Sequence, residues 1–179
     1  MQNTSPGLAL VLSVVALFMQ ACTNTYKMEV LPIADAAEAT KPPFLKVGDK
    51  VSVARPQDGQ YGGKSYQGSG TMVQLAVIGC LKQRGVEAHA EVLPEGGDPA
   101  TKPRCWSVKT SIMEWEDRAT EWSGLPDRIR IELQTVGPDG TLRDSTVVSG
   151  SSKWATFGGD HPQDMLTPAL TPWAARLVK

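Results

Sequence analysis

Hydrophobic spacing changes several times along this chain, and each change marks an element. Leu8 to Met19 is an apolar run interrupted only by Ser13. It has the length of the core of a secretion signal and falls short of the about 20 residues that span a bilayer. From Lys50 to Ala54 apolar residues alternate, which sets Val51 and Val53 on one face of a strand. Between Ser69 and Arg84 the period lengthens. Val73, Ala76, Val77, Cys80 and Leu81 fall at i, i+3, i+4, i+7 and i+8, the stripe of an amphipathic helix. Ser69 is placed to cap its start and Gly85 to stop it. Alternation then resumes, with Val86, Ala88, Ala90 and Val92 set against Glu87, His89 and Glu91 in a second strand.

Pro94 to Pro103 is a polar loop rich in Gly and Pro. The third strand follows, with Trp106, Val108, Thr110 and Ile112 inward and Ser107, Lys109 and Ser111 outward. Its phase slips at Met113, the mark of a bulge. Arg128 to Thr135 forms a fourth strand with Ile129, Ile131 and Leu133 inward, and Pro138-Asp139-Gly140 turns the chain into a fifth, Leu142 to Gly150. Two short terminal helices are expected to begin at Pro162 and Pro172, capped by Asp160 or His161 and by Thr171. This order predicts an α+β fold: a mostly antiparallel sheet of about five strands, one main helix packed across it, and short C-terminal helices. Strands three to five read as a meander. Its hairpins bring Trp115, Trp122, Trp154 and Phe157 toward one edge of the sheet.

Met1 to Ala21 reads as a signal peptide, and Met19-Gln20-Ala21-Cys22 resembles a bacterial lipobox with Cys22 as the acylated residue. Thr23 follows in place of an Asp, which by resemblance to sorted lipoproteins favours the outer membrane, facing the periplasm. The membrane is thus an expected partner, through the lipid. Residues 22–46, with Ala34 to Ala39 and Pro42-Pro43, read as a lipidated cysteine and a flexible tether reaching roughly 25–30 Å. Residues 47–179 form a single globular domain. A net charge of -1 and a pI of about 6.1 provide no basic field for nucleic acid. With Cys22 acylated, Cys80 and Cys105 remain, either as a disulfide in an oxidising compartment or as two small buried hydrophobes.

Three segments together resemble a known family. They are Asp58 to Gly70 (DGQYGGKSYQGSG), Trp115 to Asp127 (WEDRATEWSGLPD) and Ser152 to Leu166, which contains SKWATFGGDHPQDML. They are similar to motifs of a family of Gram-negative lipoproteins, domain of unknown function 4823, over about Val51 to Leu166. More distantly the family resembles the small α+β domain at the amino terminus of TolB-like periplasmic proteins. The resemblance implies an envelope location and this fold, and brings no activity. It also implies a second helix between strands two and three, where this chain has the short, broken Pro94 to Pro103.

Several side-chain groups resemble reactive sites, and each has a plainer explanation. Gly63-Lys64-Ser65 lacks the earlier glycine of a phosphate loop; Asp58 stands there, and its charge would repel phosphate, so a Gly-rich turn is the better reading. Glu114, Glu116, Asp117 and Glu121 contain enough carboxylates for glycoside hydrolysis, but Arg118 among them points to a salt-bridged loop. Asp160, His161 and Asp164 have metal-binding chemistry, yet His89 and His161 are the two histidines of the chain, and helix capping accounts for the aspartates. No metal or cofactor is therefore expected. Gly68-Ser69-Gly70 lacks the spacing of a nucleophile elbow. Trp106 reads as core, whereas Trp115, Trp122 and Trp154, with Phe157, form either a binding platform or a second small core. The leading expectation is a non-catalytic, outer-membrane-anchored lipoprotein making protein contacts in the cell envelope. The alternatives are a module binding glycan or a small ligand through those tryptophans and, third, an envelope hydrolase.

Overall fold

Alternation and helical spacing lead to the elements they predict, with additions at both ends of the chain. The computed structural model describes residues 23–33, 41–91, 105–118, 125–153 and 161–179. Cys22, the signal segment, Glu121, Trp122, Trp154, Phe157, Asp160 and the 94–103 loop lie outside the described residues. The strands are β1 (Thr25–Val30), β2 (Lys50–Val53), β3 (Gln60–Tyr61), β4 (Lys64–Ser65), β5 (Glu87–Ala90), β6 (Trp106–Glu116), β7 (Arg128–Val136) and β8 (Leu142–Ser151). The helices are α1 (Ser69–Lys82) and α2 (Leu166–Leu177), the latter preceded by a 3-10 turn at Pro162–Met165.

Six strands form one sheet in the order β1-β8-β7-β6-β2-β5. β6, β7 and β8 are the antiparallel meander, and β2 lies parallel to both β5 and β6. Helix α1 is the crossover between β2 and β5, as parallel neighbours require. The phase slip at Met113 is a register shift between Ile112 and Glu114. It keeps Trp115 on the same inner face as Thr110 and Ile112 despite the odd spacing. Gly62 and Gly63, both at positive φ, turn β3 into β4, so the Gly-Lys-Ser sequence is a hairpin.

Both helices belong to one core on one face of the sheet. Val73, Val77 and Leu81 of α1 and Leu170, Trp173 and Leu177 of α2 meet Val51, Val53, Val108, Ile131, Leu133 and Val148, all fully or almost fully buried. Gln74 is a buried polar residue in the middle of α1, and its amide donates to the Val53 carbonyl at 2.8 Å, fixing the helix against β2. At the far end of the core, the buried Asp144 accepts from Arg176 of α2 and from Thr146.

The structure corrects several expectations. Thr25–Val30, placed in the tether, is an edge strand antiparallel to β8, from Thr25 opposite Ser151 to Val30 opposite Thr146. Its TYKMEV sequence alternates Tyr26, Met28 and Val30 with Lys27 and Glu29. Charges on the outer side of an edge strand are a common guard against further pairing. Leu45 is buried beside Val178, so the 41–46 stretch also joins the core. Of the two readings left open for Cys80 and Cys105, the structure has free thiols, with Cys80 buried and Cys105 half-buried. Ser69 does not occupy the cap position; Gly68 does, at φ 88. Pro172 lies inside α2 and starts no second helix. Thr171 donates to the Thr167 carbonyl and caps nothing.

Deleting residues 23–33 should therefore expose the β8 edge, lower the melting temperature and increase aggregation with concentration. Melting and light scattering check this; a free tether would leave both unchanged.

Candidate functional site

The ends of β6 and β8, the start of β7 and the 3-10 turn converge at one corner of the sheet. Alternation along β6 sends Trp115 inward, leaving it 2% exposed, between Glu114 and Glu116 on the outer side. Gly59 lies against it: a Cβ there would come within 2.6 Å of the Trp115 Cβ. Trp115 is thus part of the core, which decides for burial between the two readings left open for it and removes it from the possible binding surface. Trp122, Trp154 and Phe157 lie outside the described residues. Trp106 is half-buried and stacks on Phe44 with centroids 5.2 Å apart.

The acidic cluster divides accordingly. Glu114 faces Arg130 across the strands, and Glu116 forms a 2.7 Å ion pair with Arg118. The Arg118 guanidinium also lies over the Tyr61 ring, 5.6 Å from its centroid. This is the salt-bridged loop expected of the segment. Asp117 instead turns toward residues that are distant in sequence. Its carbonyl accepts from the Tyr66 hydroxyl at 3.1 Å, and its carboxylate lies 3.4 Å from His161 Nδ1. Asp127, 8% exposed, accepts the Arg118 backbone N–H at 2.7 Å and donates its own N–H to Ser152 Oγ at 2.9 Å. Ligand atoms of Asp117, Asp127 and His161 lie within 4.8 Å of one another. Burial raises the pKa of Asp127, partly countered by the Arg118 N–H, and the charge of Asp117 raises it further. The Tyr66 hydroxyl is raised by burial first and then by Asp117 and Asp127.

His161 has the capping role its sequence suggested. Its backbone N–H donates to Asp164 across the first turn, in a capping box. The contact of its ring with Asp117 and Asp127 was not legible, because the partners come from two other elements. The signal available was the shared occurrence of Asp117, Asp127 and His161 in the second and third family-like segments.

The first segment builds the start of α1. Asp58 accepts the N–H groups of Gly70 at 2.9 Å and Gly68 at 3.1 Å, and Arg55 pairs with it at 3.1 Å. Gly70 is required for this approach, since a Cβ there would lie 2.3 Å from the Pro56 carbonyl oxygen. Ser69 Oγ donates to Tyr66 and accepts from Gly59, locking the loop to the helix. An open polar groove runs from Arg55 to Asp58 along Ser111 to Met113 of β6. Its two charged groups, Arg55 and Asp58, pair with each other. Burial pushes up the pKa of the Cys80 thiol, which makes it a poor nucleophile.

The family described as Domain of unknown function (DUF4823) matches residues 44–177. No curated protein matches the chain. Among solved structures it is similar to the PelC dodecamer of Paraburkholderia phytofirmans, with 12% identity and a TM-score of 0.56, covering 83% of this chain and 96% of that one. A single-substitution PelC variant gives 11% identity and a TM-score of 0.57, with 83% and 94% covered. A Xanthomonas campestris protein of another family of unknown function, DUF330, has 13% identity and a TM-score of 0.45 over 74% of this chain and 88% of its own.

The Gly70 and Gly68 N–H groups lower the pKa of Asp58 below its ordinary value. The stability it contributes is then complete above that ordinary value and lost as pH falls through the lower, folded-state value. Asp58→Asn should melt below wild type at neutral pH, with the two curves converging in acid; melting across a pH series checks this.

Proposed function

This chain belongs to the DUF4823 family, and we propose that it acts as a non-catalytic, outer-membrane-anchored lipoprotein that makes protein contacts in the cell envelope. One observation carries the contact role. Helix α1 is apolar on both sides: its inner stripe faces the sheet, while Met72 and Leu75 on its outer side are 45% and 60% exposed. Gly79, with open space where a Cβ would stand, continues that outer side beside Ala76, which is partly packed on the core, and Lys82 in the last turn is the one charged residue of the helix. A helix that is apolar all round is ordinarily covered all round. Small residues beside Leu and Met offer a surface that a second apolar element can approach closely. The partner implied is therefore a protein presenting an apolar helix or sheet face.

The anchor reading rests on Met19-Gln20-Ala21-Cys22, and β1 adds a geometric consequence. Only Thr23 and Asn24 separate Cys22 from β1, a span of at most about 11 Å. Asn24 is itself held, its side chain accepting the Lys153 N–H at 3.0 Å. The lipid would hold the sheet edge against the membrane, in place of the 25–30 Å reach of a free tether. The glycan-binding alternative loses Trp115 to the core and has no other observation in its favour.

Cys22→Ser should move the protein to a soluble fraction or leave its signal uncleaved, and lipid labelling and fractionation read this directly. Leu75→Lys with Met72→Lys should leave the melting curve within about 0.5 kcal/mol of wild type per site, as exposed positions usually do, and abolish a crosslinked envelope partner. PelC structures are dodecamers, so a second copy of this chain is the first partner to test, by light scattering. Unchanged crosslinks and mass in the double variant would end the contact role of α1.

A further inference from the structure

We propose that Asp117, Asp127 and His161 form a site for a divalent transition-metal ion of the zinc or manganese type. The site stands apart from α1, so the inference does not depend on the contact role of that helix. Its three side chains come from three elements: the residue after β6, the residue before β7, and the residue opening the 3-10 turn. Their ligand atoms converge within 4.8 Å.

Each is positioned by bonds that leave a ligand atom available. Asp127 is more than nine-tenths buried. One of its carboxylate oxygens accepts the Arg118 N–H. Tyr66 holds the Asp117 backbone through its carbonyl and leaves the carboxylate to face His161. The 3.4 Å between Asp117 Oδ1 and His161 Nδ1 is long for a hydrogen bond. It suits two ligands of one ion, since metal–ligand bonds of about 2.0–2.2 Å place neighbouring donor atoms about 3–3.5 Å apart. The capping box with Asp164 fixes the His161 backbone, so the imidazole approaches from a defined direction. The Arg118 guanidinium is bonded to Glu116 through two nitrogens.

The donor set identifies the ion class. Two carboxylate oxygens and one imidazole nitrogen suit Zn2+ or Mn2+ and would serve Mg2+ or Ca2+ poorly, because those ions favour all-oxygen shells. Three protein ligands leave at least one position for water or an incoming anionic group. Ligation needs the side chains to close by about an ångström from their present spacing. The Arg118 N–H on Asp127 is the kind of outer bond that orients a ligating carboxylate.

The test uses the full chain in detergent, freed of metal with chelator and titrated calorimetrically with ZnCl2 and, separately, MnCl2. The expected result is saturable binding of one equivalent, with a rise in melting temperature that chelator reverses. Asp117→Asn and His161→Gln should each weaken binding about a hundredfold or more. Asp127→Asn keeps an oxygen to accept the Arg118 N–H, so it should melt as metal-free wild type does while losing the metal-induced rise. Failure of both ions to bind at one equivalent would overturn the proposal. So would binding that persists in all three variants, because the ion would then sit elsewhere, for instance at His89.

Discussion

Covering a single face of the six-stranded sheet is the constraint from which the rest of this structure follows. Two helices must bury the inner residues of β2, β6, β7 and β8, and each fully buried Val, Leu or Ile contributes about 1.5–3 kcal/mol toward holding them there. α1 spans the parallel side of the sheet because it is the crossover between β2 and β5. α2 has to cover β8 and β1, and it returns over them from the end of the sheet at which the chain leaves β8. That return passes the corner where β6 ends and β7 begins. The meeting of His161 with Asp117 and Asp127 is therefore a by-product of how the second helix gets back over the sheet.

Polar groups within this core fix positions that apolar packing leaves free. Apolar stripes tolerate sliding, whereas a buried amide or carboxylate does not, since losing its partner costs the full desolvation of the group. Gln74 ties α1 to the Val53 carbonyl, and Asp144 ties α2 to β8 through Arg176. Asp58 does the same for the start of α1 by binding two backbone N–H groups that the helix cannot satisfy itself. Its neighbour Gly59 lets Trp115 close over the loop. The first family-like segment is thus structural: it holds the helix start against the same corner that carries the acidic pair.

Legibility in the sequence followed the range of the interactions involved. The meander, the α1 stripe and the bulge at Met113 are short-range patterns, and each could be read from residue spacing. β1 alternates just as strictly, but its exposed edge position and its separation from β2 by an Ala- and Pro-rich stretch disguised it as tether. The α1 cap was misplaced for a related reason: the acceptor is Asp58, eleven residues before Ser69, and local capping rules look only at the adjacent residue. Pro172 resembled a helix start, yet burial of Trp173 and Leu177 carries α2 through it. Asp117, Asp127 and His161 were each visible as chemistry. Their convergence depends on sheet register and on the path of α2, which no local pattern encodes.

Register also relates the corner to the proposed anchor. Thr25 pairs with Ser151, Ser151 with Arg128, and Arg128 with Glu116, so the first residue of β1 lies at the same end of the sheet as Asp117 and Asp127. A chain of bonds runs between them: Asn24 accepts from Lys153, Lys153 follows Ser152, and Ser152 bonds Asp127 through both its backbone and its hydroxyl. A lipid on Cys22 would bring this end of the sheet nearest the bilayer, with the open position of a bound ion available to anionic groups there. α1 presents its apolar outer side on the helical layer, away from the sheet face that carries Lys27, Glu29 and Arg130. The domain would then divide its surface by layer and by end, with the lipid and the acidic corner at one end of the sheet and the protein contact on the helices.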